Sequence, residues 1–162
     1  MEAAESAARA EGFSIVVGAR RTIGHAPAAV YELLSDLRQH WPLLGADLVD
    51  AGIVDGSDEG SAELLLRGPF PGLERKVVTR ITYAVPDTAF GGEAVAGPTR
   101  AAIDWRLSPI ADAATEVSFD VGIDPGGVRD RLLVTAARPW LQHRCRQVLA
   151  RLEHELRADR DA

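Results

Sequence analysis

The sequence predicts an α+β fold in which a curved antiparallel sheet of about six to seven strands wraps around one long C-terminal helix. Residues 14–123 alternate between apolar and polar side chains and are interrupted by Gly, Pro and Asp, which is typical of strands joined by turns. Residues 128–157 instead carry an apolar stripe at steps of three and four residues, which indicates an amphipathic helix. The stripe consists of Val134, Ala137, Leu141, Cys145, Val148, Leu152 and Leu156. A lone helix of this kind must bury its stripe, and the sheet is its natural partner.

The first strand is predicted at residues 14–24 because Ile15, Val17 and Ile23 alternate with polar side chains. A helix is predicted to begin at Ala26-Pro27, since proline at the first helical position has no N–H to leave unpaired. Val30, Leu33, Leu34 and Leu37 give this helix its apolar face. Asp36 and the Trp41-Pro42 pair are expected to end it, because the residue before proline avoids helical geometry, and a short second helical turn fits residues 38–40.

Further strands are predicted at residues 48–54, 62–67, 73–85, 88–95, 99–107 and 114–123. The turns between them are predicted at residues 55–60, 68–69, 71–72, 97–98 and 109–113, and residues 124–127 lead into the terminal helix. Consecutive strands joined by short turns predict an antiparallel sheet. The phase of the strand near Phe90 to Val95 stays open, because Gly91 and Gly92 favour a bulge. A slip of one residue would turn Glu93 toward the inside.

The chain of 162 residues suits a single domain, predicted at residues 13–158 after a flexible tail of residues 1–12. Arginine far outnumbers lysine, of which Lys76 is the sole example, and asparagine is absent. This usage indicates a GC-rich genome, and we expect a bacterial source. The segment at the start has acidic residues and no apolar core, so it predicts no secretory signal. We expect a cytoplasmic protein.

Charge and motifs exclude several classes of function. The net charge of -6 argues against nucleic acid or an anionic membrane as the main partner, and no apolar run of about 18 residues predicts membrane insertion. The single cysteine, Cys145, excludes an internal disulfide and is expected to be a buried, inert thiol. His143 and His154 are about 16 Å apart along one helix, so they predict no metal site. No phosphate-binding glycine motif follows a strand, and no cofactor is predicted.

Two segments carry a family resemblance. "TIGHAPAAVYELLSDLRQHWPLL" follows the first strand, and "GGVRDRLLVTAARPWLQHRCRQVLARLEHEL" ends the chain. In this order they resemble the START-like (Bet v 1-like, SRPBCC) superfamily, which includes polyketide cyclase/dehydrase and lipid-transport proteins. The resemblance covers residues 13–158 and implies the helix-grip fold, with a ligand cavity between sheet and helix. It implies no catalytic residue, because the superfamily has no shared catalytic motif.

The strand phase predicts which side chains face the space between sheet and helix. The predicted ligand-binding residues are Trp41, Leu64, Leu66, Thr79, Tyr83, Ile103, Trp105, Phe119, Leu141, Arg144 and Val148. Apolar pockets with a few convergent polar groups are the usual ligand sites, although the same pattern also fits a filled core. Arg144, at the border of the helical stripe, is a candidate for binding a ligand carboxylate or phenolate, and a surface arginine is the alternative. Trp41 fits either a cap over the ligand or a core plug.

Three functions remain open from the sequence. The first is binding of an apolar small molecule, such as a lipid or a polyketide-like compound. The second is a polyketide aromatase/cyclase, which requires an ionisable group aimed inward. The weak catalytic candidates for that role are His40, Glu93, Tyr83 and Arg144. The third is a protein-interaction module with a filled core, which predicts no cavity of useful size. The oligomeric state is not predicted.

Overall fold

The computed structural model describes residues 10–44, 47–50, 61–67 and 74–161, and it confirms the predicted helix-grip fold. After a 3-10 turn at Ala10–Gly12, the elements are β1 (Ile15–Ile23), α1 (Pro27–Ser35), α2 (Leu37–Leu43), β2 (Asp47–Asp50), β3 (Ser61–Arg67), β4 (Glu74–Val85), β5 (Ala89–Ala96), β6 (Thr99–Ala111), β7 (Ala114–Asp124) and α3 (Val128–Asp161). The predicted turns at residues 55–60, 68–69 and 71–72 lie outside the described residues.

The seven strands form one antiparallel sheet in the order β1-β7-β6-β5-β4-β3-β2. Strands β2 to β7 follow one another as a meander, and β1 joins the far edge by pairing with β7. This order results from the short turns, because neighbours along the chain pair with each other. The inner face of the sheet packs against α3, and α1 and α2 lie between β1 and β2 in the chain.

Of the two predicted ends of the first helix, Asp36 is correct and the Trp41-Pro42 pair is not. Asp36 ends α1, where its N–H donates to the Glu32 carbonyl at 3.3 Å. The chain then forms α2, and Pro42 lies inside that helix. Pro42 is the sixth of the seven residues of α2, so its missing N–H removes one hydrogen bond in the last turn of a helix that ends at the next residue. The terminal helix α3 likewise continues through Pro139 to Asp161.

The space between the sheet and α3 has two ends, which differ in the volume of the side chains that face it. At the filled end, large side chains of the strands and the second half of α3 pack together: Phe90, Trp105, Leu107, Val117, Leu149 and Leu152. At the hollow end, the same sheet face presents Ala94, Ala101 and Ile123 to the first half of α3. Phe119 lies between the two ends, because it belongs to the core and also faces the hollow space.

A β-bulge at Thr82 changes the phase of β4. Ile81 pairs with Gly92 and Tyr83 pairs with Gly91, so Thr82 has no partner in β5. The extra residue transfers Tyr83 from the inner to the outer face, because side chains alternate along a strand. There the Tyr83 hydroxyl donates to the buried Asp104 carboxylate. A Cβ on Gly91 would collide with the Tyr83 ring, so a glycine at this position of β5 is what allows the ring to lie against the strand.

The 3-10 turn covers this outer face. Residues 10–12 fall within the segment that the sequence assigns to a flexible tail, yet Ala10 is fully buried and its N–H donates to Asp104 at 2.7 Å. A Cβ on Gly122 would collide with the Ala10 carbonyl, so the turn lies directly against β7. Ser14 then fixes the start of β1, since its N–H donates to Asp124 at 2.7 Å.

The edge strand β1 is tied to the terminal helix by the ion pair of Arg21 with Glu153 at 2.9 Å and by the side chain of Gln142. The Gln142 amide donates to the Gly18 carbonyl, and the Gly18 N–H donates back to Gln142 Oε1 at 3.3 Å. Both backbone groups of Gly18 are therefore paired on the side of β1 that faces away from β7. This contact holds the middle of α3 across the edge of the sheet.

Candidate functional site

The hollow end encloses an apolar cavity of about 270 Å³ between the inner sheet face and α3. Strands β1 and β3 to β7, α3 and Leu44 contribute its walls. An apolar cavity of about 150 Å³ holds one benzene molecule, so this cavity has room for a ligand roughly twice the size of benzene. The filled-core hypothesis predicts no cavity of this kind.

Eight of the eleven residues predicted from the strand and helix phases line the cavity. They are Leu64, Leu66, Thr79, Ile103, Phe119, Leu141, Arg144 and Val148. The phases place them correctly because these strands have no bulge before the hollow end and the helical stripe is continuous. Contact of these side chains with a ligand stays a prediction.

Trp41, Tyr83 and Trp105 do not line the cavity, so their placement there is wrong. Trp41 and Trp105 are 2% and 0% exposed, and both pack at or beside the filled end against the ring of His40. They have the right phase but lie where bulky side chains leave no space. Tyr83 is on the outer face because of the Thr82 bulge. The Trp105 indole N–H has no hydrogen-bond partner among the described residues.

His40 is buried in the filled end and does not face the cavity. Its Nδ1–H donates to the Leu34 carbonyl at 3.1 Å, and its ring contacts Trp41, Phe90 and Trp105. Burial lowers the pKa of His40 to about 4, and the bond to Leu34 only partly offsets this effect. The imidazole is therefore neutral at pH 7, and its position does not suit acid–base chemistry on a ligand in the cavity.

Glu93 faces away from the cavity. Its neighbours Ala94 and Ala96 line the cavity, and the register pairs Glu93 with Arg80 and Ala102 on the outer face. The bulge that was expected near Gly91 and Gly92 lies on the opposite strand, at Thr82, so it shifts β4 and leaves the phase of β5 intact.

Arg144 is the predicted ionisable residue that reaches the cavity. It lines the wall, and its guanidinium carbon lies 5.4 Å from the centre of the Trp140 ring, within cation–π range. Burial, and then repulsion from Arg151, lower the pKa of Arg144. Both effects oppose the positive charge of the Arg144 guanidinium, so an anionic or carbonyl oxygen of a ligand would stabilise that charge.

The predicted ligand-binding set omits several lining residues, although Val77, Ala101 and Val121 have the inward strand phase and Val134, Ala137 and Cys145 belong to the predicted helical stripe. Trp140, Ala137 and Val134 belong to α3, and their three- and four-residue steps from Leu141 and Arg144 were the available signal. The small residues Ala94, Ala96 and Ala101 mark where the space is hollow, and Val17, Arg75, Val77, Thr99, Val121, Ile123, Leu133 and Cys145 complete the wall together with Leu44.

Cys145 faces the cavity as an unreactive thiol. It is 3% exposed, and burial, followed by the charge of Asp120, raises its pKa to about 12. The thiolate is the nucleophilic form, so this cysteine is unsuited to covalent catalysis at neutral pH. The ionisable side chains among the described residues of the wall are thus Arg75, Arg144 and Cys145.

Metal and membrane sites are not found in the part of the chain that the structure describes. No group of three His, Cys, Asp or Glu side chains is placed to hold a metal ion within residues 10–44, 47–50, 61–67 and 74–161. None of the helices described there has the length and apolar character needed to cross a lipid bilayer.

Solved structures with the same fold cover nearly the whole chain. A protein of Thermus thermophilus superposes with a TM-score of 0.69 at 18% identity, covering 90% of this chain and 99% of its own. The Zhui aromatase/cyclase of a Streptomyces species gives a TM-score of 0.62 at 14% identity, covering 90% and 97%. A Mycobacterium smegmatis protein gives 0.62 at 13%, covering 90% and 93%. At these identities the likeness shows a common fold.

Sequence comparison identifies the family. No curated protein matches the chain significantly. The family model for polyketide cyclase/dehydrase and lipid transport matches residues 14–157, which include every strand and most of α3. The chain therefore belongs to the polyketide cyclase/dehydrase and lipid transport family of the START-like superfamily.

Proposed function

We propose that this protein binds an apolar small molecule that carries one anionic or carbonyl oxygen. The observation that supports this proposal is the apolar cavity of about 270 Å³ with the Arg144 guanidinium in its wall. Apolar lining supplies affinity without direction, whereas a single charged group fixes which way the ligand lies. Membership of a family described by lipid transport and polyketide chemistry agrees with a ligand of this class.

The orientation of the ligand follows from where the polar atoms of the wall lie. Arg144 presents a flat cation over the Trp140 ring, which suits a planar carboxylate or phenolate. Thr79 lies on β4, but its hydroxyl donates to the Glu93 carbonyl at 3.3 Å and is engaged within the sheet. Arg144 is therefore the group we expect to contact the polar end of the ligand.

Native mass spectrometry tests binding directly. We expect a discrete added mass after incubation with a lysate of the source, and loss of that mass on denaturation. The class of ligand is then tested with a defined pair of probes, a medium-chain carboxylic acid and the alcohol of equal length. Failure of both probes and of the lysate to add mass would contradict the proposal.

The role of Arg144 is tested with a matched pair of variants. We expect Arg144→Gln to weaken binding of the acid by about tenfold and to leave the alcohol within a factor of about two, because only the acid uses the charge. Arg146→Gln is the control, since Arg146 is exposed, lies two residues further along the same helix and is not part of the cavity wall. Equal losses for acid and alcohol would show that Arg144 only shapes the wall.

A polyketide aromatase/cyclase is the second candidate, supported by the family description and by the fold shared with the Zhui aromatase/cyclase. Such an enzyme holds a chain folded and moves protons, so it needs an acid or base at the ligand. Of the four candidates from the sequence, only Arg144 lines the cavity. Turnover of an aromatic polyketide precursor that Arg144→Gln abolishes would favour the enzyme, whereas binding without turnover would favour the carrier.

A further inference from the structure

One end of the cavity is closed by an ion pair between β4 and α3. Arg75 donates two hydrogen bonds to the Asp130 carboxylate, at 3.0 and 2.6 Å. The Thr99 hydroxyl donates to the same carboxylate, and the Gly126 N–H donates to the Thr99 oxygen at 3.2 Å. The Arg75 guanidinium is thus held by Asp130, whose carboxylate is itself fixed by Thr99, and a fork-to-fork pair of this kind restricts both partners to one orientation.

This ion pair stands between two spaces. Arg75 and Thr99 line the apolar cavity, whereas Arg75 and Asp130 also line a more open pocket of about 470 Å³ on the surface. The surface pocket is completed by Lys76, Ala96, Gly97, Pro98, Gly126, Gly127 and Arg129. Arg75 and Ala96 belong to both walls, so these two residues separate the cavity from the surface pocket, and Arg75 is the larger of the two.

The wall lies far along the helix from Arg144. Asp130 precedes Arg144 by fourteen residues of α3, which corresponds to a rise of about 21 Å. A ligand whose polar end contacts Arg144 therefore directs its apolar tail toward Arg75. The tail first meets the aliphatic part of the Arg75 side chain and then the ion pair of Arg75 with Asp130. An apolar group that displaced this ion pair would leave a charge without its partner, which costs free energy.

We propose that Arg75, held by Asp130 and Thr99, sets the maximum length of the ligand tail. This inference rests on the proposed function, because it requires that an apolar molecule with a polar end occupies the cavity. It assigns to Arg75 a specificity role: straight-chain tails are accepted up to the ion pair, and longer ones are excluded.

The test is a series of straight-chain carboxylic acids of increasing length, with affinity measured by calorimetry. In the natural protein we expect each added methylene to strengthen binding by roughly fourfold until the tail reaches Arg75, after which affinity stops rising. In Arg75→Ala the rise should continue for about two further methylenes, a gain of about fifteenfold for those acids. Lys76→Ala is the control, because Lys76 lines only the surface pocket, and it should keep the natural limit.

A second variant guards against loss of folding. Arg75→Ala leaves the Asp130 carboxylate without its cation, so the double variant Arg75→Ala/Asp130→Ala, which removes both charges, is measured in parallel. An unchanged length limit in a folded single or double variant would overturn the proposal, as would an equal loss of affinity at every length. If the natural protein binds no acid of any length, this inference fails, whereas the proposed function fails only if the alcohol probe and the lysate also add no mass.

Discussion

On one face of one sheet, β5 and β6 present Phe90 and Trp105 at the filled end but Ala94 and Ala101 at the hollow end. The pattern of apolar and polar residues is the same at both ends, and only side-chain volume differs. The helix repeats the contrast, since after Pro139 it buries Cys145, Val148, Leu149, Leu152 and Leu156 and before Pro139 only Asp130 is buried. Stability is therefore expected to come from one end and ligand binding from the other.

The largest effect should come from shortening a leucine of α3 at the filled end. Leu152 is 0% exposed, so we expect Leu152→Ala to lower the free energy of unfolding by about 3 to 4 kcal/mol through lost contacts and a new cavity. Leu133→Ala, in the wall of the existing cavity, is the matched variant and should cost less than about 1.5 kcal/mol. Chemical denaturation measures both, and equal losses would remove the distinction between the two ends.

Acid should destabilise the filled end through His40. Its pKa is about 4 in the folded state against an ordinary 6.5, so the unfolded chain binds the proton more strongly. The contribution of neutral His40 to the free energy of unfolding is complete above pH 6.5. It is lost as the pH falls toward 4, which lowers the free energy of unfolding by up to about 3 kcal/mol.

His40→Gln should flatten the pH dependence of the unfolding free energy in this window. The ion pair of Asp130 acts in a lower window, because Arg75, and then Thr99, lower the pKa of that carboxyl below its ordinary value. Its stabilising effect is present above the ordinary carboxyl range and is lost only as the pH falls below it. An unaltered slope between pH 6.5 and 4 in His40→Gln would show that another group is responsible.

Filling the hollow end should abolish binding without a comparable loss of stability. We expect Ala94→Phe to weaken binding of the carboxylic acid probe by at least about tenfold, or about 1.4 kcal/mol, because the ring occupies ligand volume. Val95→Phe is the control, since Val95 is the next residue on β5 and is exposed on the outer face. Calorimetry on both variants decides the matter, and retained binding in a folded Ala94→Phe variant would place the ligand elsewhere.

The smallest effect is expected on the outer face. Tyr83→Phe removes the hydroxyl that donates to Asp104, and we expect a loss of about 1 kcal/mol in unfolding free energy, since the Ala10 N–H still donates to that carboxylate. Binding of the acid probe should be unchanged. A change in affinity would mean that the outer face communicates with the cavity.

The sequence predicts the fold well because periodicity and turn residues determine it locally. The same phase identifies Leu64, Ile103 and Leu141 as facing the cavity. It fails at Tyr83 because Gly91 and Gly92 indicate a bulge without telling that the extra residue is Thr82 on the opposite strand, and at Trp105 because phase does not tell a filled end from a hollow one. Arg75 could be predicted as a lining residue, since it lies two residues before Val77 and four before Thr79 on one face of β4.

The contact between Gln142 and Gly18 bears on how copies of this chain meet each other. A sheet edge with unpaired N–H and C=O groups can add a strand from a second molecule, and β1 forms one edge of this sheet. Gln142 occupies both backbone groups of Gly18 from the side that a newcomer would use. Strand addition at the centre of β1 is thereby blocked, and the helix that covers the cavity also protects this edge of the sheet from pairing with a second molecule.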